Sequence, residues 1–207
     1  MSDTLHQVNQ SMQDVGGEVL RSLVQIRSGH RNIGAGTIWH SDGLVVTNAH
    51  VVHSRVVGRN TISVILADGE KLDGRIVASD NGLDLAVLRI DKQGLPTIQI
   101  GDSRQLQVGE VVLAFGHPWG VLGASTSGII IDASNRLPDL VTSGKEWIAA
   151  SLHLRPGHSG GPMVNVQGQL IGINTLMNGP DVGVAIPVHV AKEFLKKAFD
   201  QKMALRV

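Results

Sequence analysis

The sequence predicts an all-β chain built as two lobes, with a short helix at each end. Twelve short apolar runs alternate with Gly-, Asn- and Asp-containing turns, a spacing that suits a sandwich or barrel and not βαβ units. The runs fall into two series separated by a break around residues 95–109, which puts the lobe boundary near residue 100. The 207 residues suffice for a core that needs no disulfide or metal staple, and the chain contains no cysteine.

Each element follows from its local pattern. Over residues 1–19, Leu5, Val8, Met12, Val15 and Val19 recur at helical spacing with polar residues between them, predicting an amphipathic helix that lies on the body or on a neighbouring subunit. The first lobe, residues 20–100, carries runs at 23–26, 35–39, 43–47, 62–66, 75–79 and 85–90. Its turns are Ser41-Asp42-Gly43, Ala67-Asp68-Gly69 and Leu72-Asp73-Gly74, the last two read as hairpin ends. The second lobe, residues 101–186, carries runs at 111–115, 128–133, 148–152, 162–165, 170–174 and 182–186. Residues 187–207 close the chain as a helix, with Pro187 at its start and an apolar face of Val190, Phe194, Leu195 and Ala198. Trp39, Trp119 and Trp147 are expected to pack, although Trp119 follows Gly116-His117-Pro118 on a candidate mobile loop.

Composition excludes several classes of function. Lys plus Arg and Asp plus Glu balance at 18 each, and no basic stripe marks a nucleic-acid partner. No apolar run reaches the roughly 18 residues of a membrane span. The polar N-terminus shows no signal-peptide pattern, so the expectation is a cytoplasmic protein, or a periplasmic or extracellular one if a targeting segment has been removed. His50 and His53 stand three apart, but no Glu and no third ligand accompany them, so no metal and no cofactor are expected.

Three segments carry chemistry together. Val46-Thr47-Asn48-Ala49-His50 delivers a histidine at the end of a strand. Leu83-Asp84-Leu85-Ala86 places an acid at the opening of an apolar strand. Pro156-Gly157-His158-Ser159-Gly160-Gly161 embeds a serine among glycines. His50, Asp84 and Ser159 follow the chain order of a chymotrypsin-type triad. A serine hydroxyl needs a base, imidazole titrates near working pH, and a carboxylate behind the ring holds its tautomer. Asp80 competes with Asp84, but it reads as a turn residue. The glycines let the amides of Gly157 and Ser159 turn toward a forming oxyanion. The G-x-S-x-G pattern with Asp181 and His189 downstream also suits an α/β-hydrolase elbow, but a strand pair follows the serine where that elbow needs a helix.

On these residues the chain resembles the HtrA/Deg family of trypsin-like serine proteases. The resemblance rests on Gly34-Ala35-Gly36-Thr37-Ile38, Thr47-Asn48-Ala49-His50-Val51-Val52, Asp84-Leu85-Ala86-Val87-Leu88, Gly101-Asp102-Ser103, Gly116-His117-Pro118, Pro156-Gly157-His158-Ser159-Gly160-Gly161-Pro162, Leu170-Ile171-Gly172-Ile173-Asn174-Thr175 and Gly183-Val184-Ala185-Ile186-Pro187. It covers the protease domain, and the expectation is either a protease-only chain with no PDZ domain or a piece of a longer chain that carries one.

The resemblance implies two six-stranded antiparallel β-barrels with the active site at their junction. It implies a serine endopeptidase acting on unfolded or misfolded polypeptide, with His50 as general base, Asp84 as its orienter and Ser159 as nucleophile. Substrate would be bound by His153, Leu154, Asn174, Thr175, Leu176, Gly183 and Val184. The edge near residues 174–176 would take substrate as an added strand. No carboxylate stands at the base of that pocket, which favours a medium apolar side chain. His158 stands where the family commonly has Asn, so activation by a new N-terminus is not expected. A homo-oligomer, specifically a trimer, would form through the N-terminal segment. The alternative from another class is a catalytically weak, chaperone-like polypeptide binder on the same fold.

Overall fold

In the computed structural model, which describes residues 2–28, 32–53, 62–133 and 144–204, twelve strands close into two six-stranded antiparallel barrels. Helix α1 (Ser2–Ser22) leads directly into the first barrel. That barrel comprises β1 (Leu23–Ser28), β2 (Asn32–His40), β3 (Leu44–Thr47), β4 (Ile62–Ile65), β5 (Lys71–Asp80) and β6 (Leu85–Arg89), in the order β1-β2-β3-β6-β5-β4. A single turn of helix, α2 (Ala49–Val52), follows β3. The second barrel comprises β7 (Val111–Gly116), β8 (Ala124–Asp132), β9 (Ile148–Ser151), β10 (Pro162–Asn165), β11 (Leu170–Met177) and β12 (Val182–Pro187), in the order β10-β11-β12-β9-β8-β7. Helix α3 (Val188–Ala204) starts one residue after Pro187, which ends β12 and does not itself open the helix. No described helix is long and apolar enough to cross a membrane.

Closure into barrels explains the near-continuous apolar runs. A strand such as β6 reads Leu85-Ala86-Val87-Leu88 with all four buried, because one set of alternate side chains fills the barrel and the other faces the neighbouring lobe or helix. Val24, Ile26, Val45, Val64, Ala86 and Leu88 lie in the first barrel's interior cluster. Val112, Ala114, Ile130, Ile148, Met163 and Ile171 lie in the second's. The opposite faces share a third cluster that joins the two lobes and includes Ala35, Val46, Leu85, Val87, Phe115, Ile173 and Phe194.

Two expectations need correction here. Leu72-Asp73-Gly74 is not a hairpin end. It lies inside β5, paired with residues 62–64 of β4. Gly74 is a packing residue, since a Cβ there would stand 3.0 Å from Val64 Cγ2 and 3.2 Å from Ile62 Cγ2. Trp119 is not a core residue. It is 76% exposed, in a short 3-10 turn (Pro118–Gly120) between β7 and β8, while Trp147 is buried.

Candidate active site

The site forms where the barrels meet. Strand β3 ends at Thr47, and α2 presents His50 with its side chain half exposed to the cleft. Asp84 sits in the turn just before β6 with φ of +56°, a left-handed conformation that Asp tolerates better than bulkier residues. That backbone is held by its surroundings. The carbonyl of Asp84 accepts hydrogen bonds from Ala49 N (3.2 Å) and Asn48 Nδ2 (3.0 Å). Its carboxylate accepts from His50 N through Oδ1 at 3.0 Å.

The same carboxylate faces His50 Nδ1 at 2.8 Å from Oδ2 and 3.0 Å from Oδ1. Thr175 Oγ1, from β11, donates to Oδ2 at 2.7 Å. Burial alone would raise the Asp84 pKa. The hydrogen bonds from His50 and Thr175 together outweigh it and hold the carboxyl below its ordinary 3.8. A carboxylate that stays ionised and accepts from Nδ1–H keeps the other ring nitrogen, Nε2, as a base. Asp80 is occupied elsewhere: its Oδ1 accepts the Leu83 amide at 2.9 Å, closing the turn that leads to Asp84.

Ser159 lies across the junction. Its carbonyl accepts from Ala35 N of β2 at 2.8 Å, and its hydroxyl donates to the carbonyl of Thr175 at 3.0 Å instead of to His50. The bend on either side of it depends on glycine. Gly160 has φ of +84°, and a Cβ there would stand 2.2 Å from both Ala35 O and Thr47 Oγ1. Gly157 has φ of +106°, and a Cβ there would stand 2.3 Å from His117 O. Among the described residues the amide N–H groups of Gly157 and Ser159 donate to no acceptor, which leaves both free for an incoming ligand.

A cavity of about 290 Å³ opens beside Ser159, lined by Leu154, Arg155, Pro156, Thr175, Leu176 and Met177. Of the residues read from sequence as substrate-binding, Leu154, Thr175 and Leu176 line this cavity, and the other four lie elsewhere. His153 is exposed, with Nδ1 3.4 Å from Asp181. Asn174 is buried and structural, its Nδ2 donating to Phe115 O (3.2 Å) and Pro162 O (3.1 Å). Gly183 packs against Leu152 and Leu154, and Val184 is fully buried, so neither lines the cavity. Met177 does line it, and its sulfur accepts the Leu154 amide at 3.1 Å. Strand β11 runs to Met177 although its pairing with β10 ends at Ile173, so residues 175–177 extend beyond their β10 neighbour.

Several contacts were not foreseen. The tie between Thr175 and Asp84 depends on a register shift in β11 between Asn174 and Leu176, which no local pattern announces. His189 Nδ1 meets Ser103 Oγ at 2.8 Å and its Nε2 meets Glu146 at 3.0 Å, pinning the start of α3. His53 Nε2 meets Ser79 Oγ at 2.8 Å. No group of three or more metal-ligating side chains gathers among the described residues.

Buried His117 accepts the Gly123 amide through Nδ1 at 3.0 Å. Burial pushes its pKa down from 6.5 to about 4, against the opposing pull of the Val24 and Val121 carbonyls. The unfolded chain therefore binds a proton that the folded chain refuses between those two values. Stability is complete above about pH 6.5 and falls on acidification to about pH 4, by on the order of 3 kcal/mol from this group. Thermal unfolding at pH 7 and pH 4 measures the loss, and His117→Asn is expected to flatten it.

Comparison with known proteins places this geometry. The trypsin-like peptidase domain family matches residues 34–173. A Halomonas elongata protein named "Probable periplasmic serine endoprotease DegP-like" is 40% identical over 168 residues, 79% of this chain and 34% of that protein. An HtrA-type protease solved with a tripeptide superposes with TM-score 0.80 at 32% identity, over 89% of this chain and 62% of that one. A serine endoprotease from Yersinia pestis superposes with TM-score 0.78 at 33% identity, over 92% of this chain and 66% of that one. The chain spans 34% of the length of the Halomonas protein and 40% of that of a Synechocystis protein named "Putative serine protease HhoB", which is 36% identical over 80% of this chain. The periplasmic name fits the alternative location and gives no support to a cytoplasmic one. Family match, relatives and paired barrels agree: the chain belongs to the HtrA/Deg family of trypsin-like serine peptidases.

Proposed function

We propose that the chain is a serine endopeptidase that hydrolyses unfolded or misfolded polypeptide through an acyl-enzyme, with His50, Asp84 and Ser159 as its triad. The observation that carries this reading is the connected array at the barrel junction, in which Thr175 donates to Asp84, Asp84 faces His50 Nδ1, and Ser159 stands beside two free amides. Rotation of Ser159 about its Cα–Cβ bond exchanges the Thr175 carbonyl for His50 Nε2. Ser159 Oγ then attacks the scissile carbonyl as Nε2 takes its proton, and the oxyanion is received by the Gly157 and Ser159 amides. His50 returns the proton to the departing amine, and water repeats the sequence to release the acid. An extended substrate pairs along residues 175–177 and places an apolar side chain in the cavity of Leu154, Leu176 and Met177. The test is labelling with a fluorophosphonate together with cleavage of denatured casein. A chain that does neither is not this enzyme.

The N-terminal helix supports assembly into a homotrimer, and the names of the DegP-like relatives support a periplasmic location. Val19 is buried against the body, but Leu5 is 72% and Val8 52% exposed, so the apolar stripe continues past the part that the body covers. Light scattering is expected to give three times the 22.0 kDa of one chain, and the double variant Leu5→Glu, Val8→Glu the mass of one. An unchanged mass in that variant contradicts assembly through α1.

A further inference from the structure

Residues 155–158 form a tight turn, with the His158 amide donating to the Arg155 carbonyl at 2.9 Å. Pro156 at the second position and Gly157 at φ of +106° in the third give it type II character. The turn type bears directly on the oxyanion hole. Types I and II differ by the orientation of their central peptide, here Pro156–Gly157, and that peptide carries the Gly157 N–H. Whatever stabilises this turn also decides where that donor points.

Three contacts hold it. From the β7–β8 connection, His117 N donates to the Gly157 carbonyl at 2.8 Å. On the outside, the Arg155 guanidinium lies 4.9 Å from the centre of the Trp119 ring. From inside comes the buried His158 side chain, whose Nδ1 lies 3.1 Å from Arg155 N and 3.2 Å from Arg155 O. The carbonyl is already served by the His158 amide, whereas the Arg155 N–H has no other acceptor among the described residues. The tautomer that satisfies both groups leaves Nδ1 unprotonated and accepting.

We propose that His158 is a positioning residue for acyl transfer: its Nδ1 accepts the Arg155 N–H and locks the 155–158 turn in the form that aims the Gly157 amide at the oxyanion. The proposal rests on the serine-nucleophile reading above. It requires a neutral ring, because an imidazolium would turn an N–H toward the Arg155 N–H it now accepts. The surroundings keep the ring neutral. Burial lowers its proton affinity, the Arg155 carbonyl opposes that, and Arg155 of the same turn and His153 before it lower it further. His117, from the β7–β8 connection, also lies beside it, and among the described residues no carboxylate is a cause of the shift of either ring.

The proposal distinguishes two amide substitutions. Asn carries its acceptor on the same atom position as Nδ1, whereas Gln carries it one bond further out and cannot reach the Arg155 amide without leaving the turn. His158→Gln is expected to lower kcat on casein-derived peptide and the fluorophosphonate labelling rate by about 10²-fold with KM nearly unchanged, as for a donor displaced by about 1 Å. His158→Asn is expected to recover most of that loss. Hydrogen exchange of the Arg155 amide is expected to be slow in the wild type and in His158→Asn, and fast in His158→Gln.

Labelling of His158→Gln at the wild-type rate overturns the proposal, as does a His158→Asn variant as impaired as the Gln one. If His158→Gln does not fold, the acid limb of activity decides. Two protons are expected to govern it in the wild type and one in His158→Asn, and equal steepness overturns the proposal. A wild-type chain that takes no label at all defeats the protease reading itself, a different failure from either of these.

Discussion

Ser159→Ala is expected to abolish fluorophosphonate labelling and to lower peptide hydrolysis by about 10⁶-fold. The size follows from the chemistry. On the proposed mechanism no acyl-enzyme forms without the hydroxyl, and water must attack unaided. What survives is binding together with the two amide donors of Gly157 and Ser159, each worth about 3–4 kcal/mol toward an oxyanion. The fold is expected to tolerate the change. The Ser159 hydroxyl makes one hydrogen bond, to Thr175 O, while the backbone ties to Ala35 and the bend at Gly160 are untouched by Ala. Its unfolding midpoint is expected to stay near that of the wild type, so lost activity would not reflect lost structure.

Asp84→Asn is expected to lower turnover by about 10⁴-fold, and Asp80→Asn to leave it nearly intact. The asymmetry arises from geometry. Asp84 faces His50 Nδ1 at 2.8 Å and also accepts from Thr175, whereas Asp80 serves a turn amide. An Asn amide group can donate to Nδ1, which favours the tautomer with the proton on Nε2, where the base is needed. The pH dependence has a definite sign. The Asp84 pKa lies below 3.8 in the folded chain, so its contribution to stability is present above the ordinary carboxyl value and is lost only as pH falls through the lower folded one. A loss of wild-type activity on moving from about pH 7 to pH 5 therefore does not come from Asp84. Parallel pH profiles of the two variants, with unfolding curves to confirm that both are folded, measure this.

Much of the fold was legible because the apolar runs and the turns agreed. Runs such as Leu85-Ala86-Val87-Leu88 are too short for helices and are bounded by turn residues, and twelve of them in two series favour paired all-β lobes. The reading failed where glycine had two meanings. Asp73-Gly74 looked like a turn, yet Gly74 is there to let Val64 and Ile62 pack over a strand. His50, Asp84 and Ser159 could be proposed from sequence because each stands in a short motif with its own chemical logic, and the fold brings all three to the barrel junction. The walls of the neighbouring cavity could be read only in part: Leu154, Thr175 and Leu176 were named, but Met177 was not, since the rest depends on register. One irregularity in β11 turns Asn174 into the core, Thr175 toward Asp84, and Leu176 and Met177 to the cavity. The Gly116-His117-Pro118 loop hinted at a place for Trp119 outside the core, but sequence alone had no signal that it would meet Arg155, or that His158 would reach back to the Arg155 amide. Those contacts join residues through turns whose shape is set by backbone angles.

The most direct measurement is the site of covalent attachment. The chain is treated with a fluorophosphonate, digested, and mapped by mass spectrometry. One adduct is expected, on the peptide containing Ser159, forming at neutral pH and absent from the Ser159→Ala and His50→Ala variants. An adduct on another serine, such as Ser103 beside His189, would contradict the assignment of the nucleophile. Cleavage of denatured casein that persists in Ser159→Ala, with no adduct formed at Ser159, would contradict the account as a whole.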